Sequence, residues 1–194
     1  SFPPINVSFR PDLTGTEDEL EDFYGSLGEI YKDNVDIIMC ESMSSIFEGS
    51  NASKVAKEFS ERVWLSWTNR GHQPNQLPST EALSKAVDFS IEADVECTLI
   101  NCSHADMASN SIKELKRASR FGIFANSSTF KEVDLSVATK DVDAIHHLNS
   151  EEISAKEYAM IALSWAKEGA FVVGGCCGTT VEHTREIKLL IDSL

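Results

Sequence analysis

No apolar run in this chain approaches the roughly 18–20 residues that cross a bilayer, and no signal peptide is visible. Basic residues are scarce: 17 lysines and arginines face 31 acids, a formal net charge of −14. That balance argues against non-specific binding to nucleic acid or to an anionic membrane. Cysteines number five, odd in count and irregular in spacing. They do not make a secreted disulfide framework and fit a reducing cytoplasm best. Internal repeats, low-complexity tracts and interdomain linkers are also missing. What is there is 194 residues, 42% hydrophobic and 25% charged, enough for one globular domain over 1–194 with a sizeable core.

Short apolar segments alternate with amphipathic ones along the chain. Strands are expected at 5–9, 35–40, 64–68, 97–101, 121–124 and 171–173. Helical spacing predicts helices over 17–33, 51–63, 79–92, 111–120, 152–167 and 181–194. The first carries Leu20, Phe23, Tyr24, Leu27, Ile30 and Tyr31 on one face, and Asn51 or Ser53 is the expected cap of the second. Residues 127–151 show no clean period. Strand then helix, six times over, reads as α/β with a parallel sheet. A (β/α)8 barrel uses about 250 residues, roughly 31 per unit, so this length holds about six units. Six strands do not close an eight-stranded barrel.

The most informative stretch is Phe171-Val172-Val173-Gly174-Gly175-Cys176-Cys177-Gly178-Thr179-Thr180. It reads as a buried strand, a tight turn and a capped helix. Neighbouring side chains on a regular strand point to opposite faces, so the glycines are needed to bend the backbone until both thiols converge. Two convergent thiols at a strand end point to a metal site, but zinc needs further ligands. Cys102, near the end of the apolar run Thr98-Leu99-Ile100-Asn101-Cys102-Ser103, is the third candidate.

Glu41, Cys102 and Cys176 end the second, fourth and sixth expected strands. In a (β/α) barrel, alternate strands feed one layer and active sites occupy the C-terminal mouth, so this parity supports one shared site. Three thiolates leave one open zinc position, the pattern of a catalytic centre. The plainer reading makes the three cysteines small buried hydrophobes, the role expected of Cys40 and Cys97. His183 is expected to cap or to lie at the surface, and Tyr158 and Trp165 to be core. The turn at 174–180 could also cradle a phosphorylated substrate, a task for which its cysteines are useless.

Gly-Gly-Cys-Cys-Gly-Thr at 174–179, together with Asn101-Cys102-Ser103 upstream, resembles the homocysteine S-methyltransferase family. The resemblance implies a TIM-type (β/α)8 barrel with Zn2+ held by Cys102, Cys176 and Cys177. It also implies a homocysteine thiol in the open position and a methyl donor as second substrate, the product being methionine. Glu41-Ser42 matches the family's Glu-Thr pair, whose carboxylate holds the substrate amino group. Asn126 matches the Asn of its Pro-Asn motif, with Ala125 in place of the proline, and Glu48 falls where another Glu is common. Bland roles stand beside these: a solvated strand end for Glu41, a helix cap for Glu48, a turn former for Asn126. Laid on the family, the six units are its strands three to eight. The N-terminal units, with an Asp-Gly-Gly motif, have no counterpart here. Two alternatives remain: a phosphate-binding barrel enzyme, and an inactive truncated barrel that keeps a zinc site.

Overall fold

The structure, a computed structural model, describes residues 1–71, 73–130 and 150–193. Its main sheet consists of β1 (Ile38–Met43), β2 (Val63–Trp67), β3 (Cys97–His104), β4 (Phe121–Asn126) and β7 (Val172–Gly175). All are paired in parallel, in that order. After β1 comes α2 (Ile46–Phe59), and after β2 comes α3 (Leu83–Glu92). β3 is followed by α4 (Ala105–Asn110) and α5 (Ile112–Leu115), and β7 by α7 (Val181–Ile191). α1 (Glu17–Tyr31) precedes β1, and α6 (Ala155–Lys167) precedes β7. Between β4 and α6, β5 (Ser128–Phe130) pairs antiparallel with β6 (Ser150–Glu152).

The expected strand–helix alternation is present, with corrections. No strand forms at 5–9. Phe2 alone bridges β1, its amide donating to Met39 O at 2.8 Å and its carbonyl accepting from Glu41 N at 2.9 Å. Pro3 and Pro4 bring no amide to a ladder, and Phe9 is left-handed at φ 66°. The first of six expected strands is thereby reduced to one bridging residue.

Helix α2 starts at Ile46 rather than at 51 because Ser45 caps it, accepting from Glu48 N at 3.1 Å. Glu81, expected to open the next helix, instead accepts from Ile46 N at 2.8 Å. Its charge thus sits at the positive end of α2, and α3 starts only at Leu83. The helix expected over 111–120 is the pair α4 and α5, and α6 begins behind a Ser154–Glu157 capping box. Of the irregular stretch 127–151, the described ends form β5 and β6, and 131–149 lie outside the described residues.

Alternation along each strand separates two faces. Toward the helices, Cys40, Leu65, Trp67, Ile100, Ile123 and Ala125 are buried with Tyr24, Ala52, Ala86 and Trp165. The opposite face carries Glu41, Ser66, Asn101 and Asn126 toward the strands' C-terminal ends. The N-terminal ends are braced differently. Glu96, just before β3, accepts from Arg62 Nε at 2.9 Å, Arg120 Nη1 at 2.9 Å and Trp64 Nε1 at 3.1 Å. The Arg120 guanidinium lies 4.7 Å from the centre of the Phe171 ring. No helix among the described residues is long and apolar enough to cross a membrane.

Candidate metal centre

Two bulges shape the C-terminal rim. Cys40 pairs with Leu65 and Met43 with Trp67, so Glu41 and Ser42 oppose the single residue Ser66. Asn101 pairs with Phe124 and His104 with Asn126, so Cys102 and Ser103 oppose Ala125. An extra residue bends its strand and re-aims a side chain. Each bulge holds a left-handed residue, Ser42 at φ 58° and Cys102 at φ 50°. The β3 bulge is tied to the end of β2: Asn69 N donates to Ser103 Oγ at 3.0 Å, and Thr68 Oγ1 to Cys102 O at 3.4 Å.

At the end of β7 and just past it, the backbone turns on two glycines. A Cβ at Gly175 would fall 2.4 Å from the Thr179 side chain, and one at Gly178, left-handed at φ 76°, would fall 2.6 Å from Ser127 Oγ. Cys176 N donates to Ala125 O at 2.8 Å, and Cys177 N to Asn126 Oδ1 at 3.1 Å. Tyr158, on α6, sets its hydroxyl 2.7 Å from Ala125 O and 2.8 Å from Gly174 O, pinning β4 to β7 just before the cysteines.

These devices bring three thiols together. Cys102 Sγ lies 3.8 Å from Cys177 Sγ, and Cys176 Sγ lies 4.0 Å from Cys177 Sγ. All three sulfurs fall within 4.8 Å of one another, and among the described residues they are the one metal-capable cluster. Sulfurs about 2.3 Å from a tetrahedral zinc lie about 3.8 Å apart, so spacing and soft donor set both fit that ion. Cys102 is held far above the ordinary cysteine range, first by the neighbouring thiols of Cys176 and Cys177 and then by burial. Contact with Cys102 favours the Cys176 thiolate, but Cys177 and burial push Cys176 up to about 11. A cation reverses that balance, because a coordinating thiol is deprotonated outright.

The other expected residues divide. Glu41 is half-buried on the rim, and the Ser1 hydroxyl donates to its Oε1. Ser42 is buried, with its amide and its hydroxyl oxygen both engaged by the Asn101 carboxamide. Asn126 uses Oδ1 to shape the Cys176-Cys177 turn. Glu48 is buried near the start of α2, accepting from Ser44 N at 3.1 Å and Ser44 Oγ at 2.9 Å. Burial raises its pKa against the pull of those bonds. Cys40 and Cys97 are buried away from the triad, as expected. His183 is a cap whose Nδ1 accepts from Thr180 N at 3.1 Å.

The phosphate reading finds little purchase at this turn. The amides of Cys176, Cys177, Thr179 and Thr180 already have acceptors within the protein. Two residues escaped sequence reasoning. Asn101 was legible as part of a tripeptide but not as a joint between strands. His104, buried with Nδ1 2.9 Å from Ser128 Oγ, ties β3 to β5, and no spacing signal marks it.

The family model described as homocysteine S-methyltransferase matches residues 1–191. "Homocysteine S-methyltransferase YbgG" of Bacillus subtilis (strain 168) is 24% identical over 190 residues, covering 96% of this chain and 56% of that protein. The metallated form of the homocysteine methyltransferase MmuM from Escherichia coli superposes with a TM-score of 0.70 at 19% identity, over 95% of this chain and 56% of that one. Its oxidized form gives 0.73 at 18% identity, with the same coverage. The chain thus spans about half the length of the relatives it matches, and its parallel sheet is part of a TIM-type barrel.

Proposed function

The chain belongs to the homocysteine S-methyltransferase family, and from that membership we propose that its thiol triad holds Zn2+ for methyl transfer to homocysteine. The observation that carries this reading is the sulfur spacing of 3.8 and 4.0 Å, in a cluster whose members all fall within 4.8 Å. Cys102, Cys176 and Cys177 are the ligands, and the fourth position is left for the substrate. When bound, zinc lowers the pKa of a thiol in that position, supplying a thiolate at neutral pH.

The protein's own residues do the rest. Glu41, on the rim, offers its carboxylate to the substrate ammonium in a charge-assisted hydrogen bond. Ser42 has accepted from Asn101 Nδ2 at 2.8 Å, and its own hydroxyl proton is left to donate beside Glu41. Asn126, having accepted from Cys177 N, keeps its Nδ2 for the amino-acid end of the substrate. Attack by the substrate sulfur forms a sulfur–carbon bond to the donor's methyl group. The bond from that methyl to the donor breaks, its electron pair leaves with the donor, and the thiol proton goes to solvent. The five strands of the main sheet then correspond to strands four to eight of the barrel, with the bridging Phe2 at the place of the third. Five free cysteines suit a reducing compartment, the cytoplasm.

Metal content tests the reading. Protein purified without chelator is expected to hold about one zinc per chain, and the Cys102→Ser, Cys176→Ser double variant none. Full zinc retention by the double variant sinks it.

A further inference from the structure

We propose that Asn101 is a positioning residue that locks the Cys102 thiol and the Glu41 corner into one geometry. The proposal rests on the metal reading above. Asn101 is 1% exposed and sits immediately before Cys102. Its Oδ1 accepts from Ser42 N at 2.8 Å and from Ser66 Oγ at 2.7 Å, and its Nδ2 donates to Ser42 Oγ at 2.8 Å. One carboxamide therefore joins β3 to β2 and β1 at the level of both bulges.

Left-handed backbone at a non-glycine residue is strained and persists only where its surroundings enforce it. Ser42 and Cys102 both adopt it, and Asn101 is bonded to the first and contiguous with the second. Without the carboxamide, the buried Ser42 amide loses the acceptor it uses here, a costly state for a buried donor. The corner can recover a partner only by relaxing, and relaxation there moves Glu41. On the other side, Asn101 fixes where the backbone enters the turn that aims the Cys102 sulfur. A side chain that merely filled core volume would need neither this pair of acceptor contacts nor the reciprocal bond to Ser42. The geometry is that of a support behind a metal ligand, whose loss typically lowers metal affinity about 10–100-fold.

The test is a cobalt(II) titration of the full chain against a competing chelator, read at the sulfur-to-metal absorption band. Asn101→Ala is expected to bind cobalt about 10–100-fold more weakly, with an altered band. Asn101→Asp retains an acceptor for Ser42 N and Ser66 Oγ but loses the donor to Ser42 Oγ. It is expected to fall between parent and Asn101→Ala, and it carries the test if Asn101→Ala fails to fold.

The control is Ser90→Ala. Ser90 is equally buried and accepts from Trp67 Nε1 at 3.0 Å, on the helix side of β2. It is expected to lose thermal stability while keeping the parent's cobalt affinity and band. If the Asn101 variants lose stability as Ser90→Ala does but keep the parent's affinity and band, Asn101 is structural only and the inference is overturned. If the parent itself shows no band, the metal reading falls, and this inference falls with it.

Discussion

At the scale of single residues, the site sets two thiols that resist ionisation, Cys102 and Cys176, on one rim with the half-buried Glu41 carboxylate. Cys40 and Cys97 mark the contrast with the triad. Burial holds Cys40 well above the ordinary thiol range and pushes Cys97 up to about 12. Both are buried, whereas Cys177 is exposed and Cys102 and Cys176 are half-buried. Alkylation of the native, metal-free chain should therefore label Cys177 first and spare Cys40 and Cys97 until denaturant is added, as read by mass spectrometry of the peptides. Labelling of Cys97 at the rate of Cys177 would contradict the burial argument. Glu41 supports a second expectation. Losing one charge-assisted contact costs about 1.5–3 kcal/mol, so Glu41→Ala should weaken homocysteine binding roughly ten- to hundredfold. Bound metal should be unaffected, because the proposed ligands are the three thiols and not this carboxylate. Titrating homocysteine into the cobalt-loaded variant checks both halves.

Among the elements, the turn from β7 into α7 shows how local sequence and tertiary contact divide the work. Its glycines and paired cysteines were readable because a strand, a bend and a cap are each local patterns. Gly178 shows what that bend requires. An alanine there takes on left-handed strain of about 1–2 kcal/mol and a 2.6 Å approach to Ser127 Oγ. Ser127 N is itself bonded to Cys177 O at 3.0 Å, so relief of that contact shifts Cys177, a proposed ligand. Gly178→Ala should lower the melting temperature and weaken cobalt binding together. A variant that loses stability alone would show that the turn yields without moving Cys177.

Other element boundaries were hidden for a physical reason. Glu81 has the composition of a helix opener but spends its carboxylate on Ile46 N, in a different helix. Ser45 capped α2 ahead of the segment whose period looked helical. The bulges left no trace at all, because Ser42 and Cys102 are residue types that rarely take left-handed backbone. Sequence thus placed the three thiols on one rim and missed the joint at Asn101 that connects two strand ends.

Across the whole molecule, the two ends of the sheet have different tasks. The rim at the C-terminal ends carries the thiols and Glu41, whereas Arg62, Glu96, Arg120 and Phe171 each directly precede a strand at the other end. Barrels commonly separate chemistry from stability in this way. Hydrogen bonds from Arg62 hold the Glu96 carboxyl below the usual glutamate range, with Trp64 and Arg120 adding to the effect. A carboxyl depressed in the folded state stabilises fully above its unfolded value of about 4.3, and that contribution is lost as pH falls through the folded value. Glu96→Gln should therefore melt earlier than the parent at pH 7. The gap should narrow as pH is lowered below the ordinary glutamate range. A gap that persists undiminished in acid would assign Glu96 a packing role instead.

The distance along the chain between the thiols has a consequence for the order of events after synthesis. Cys102 and Cys177 are 75 residues apart, while Cys176 and Cys177 are neighbours. An unfolded chain therefore offers an ion only the adjacent pair, and recruiting the third sulfur means closing a long loop. The entropy of such closure is about 4.5 kcal/mol, roughly two-thousandfold in affinity. On the proposed metal reading, capture is accordingly a late step: the polymer must already be arranged before an ion gains its third sulfur, and early encounters with the adjacent pair are short-lived.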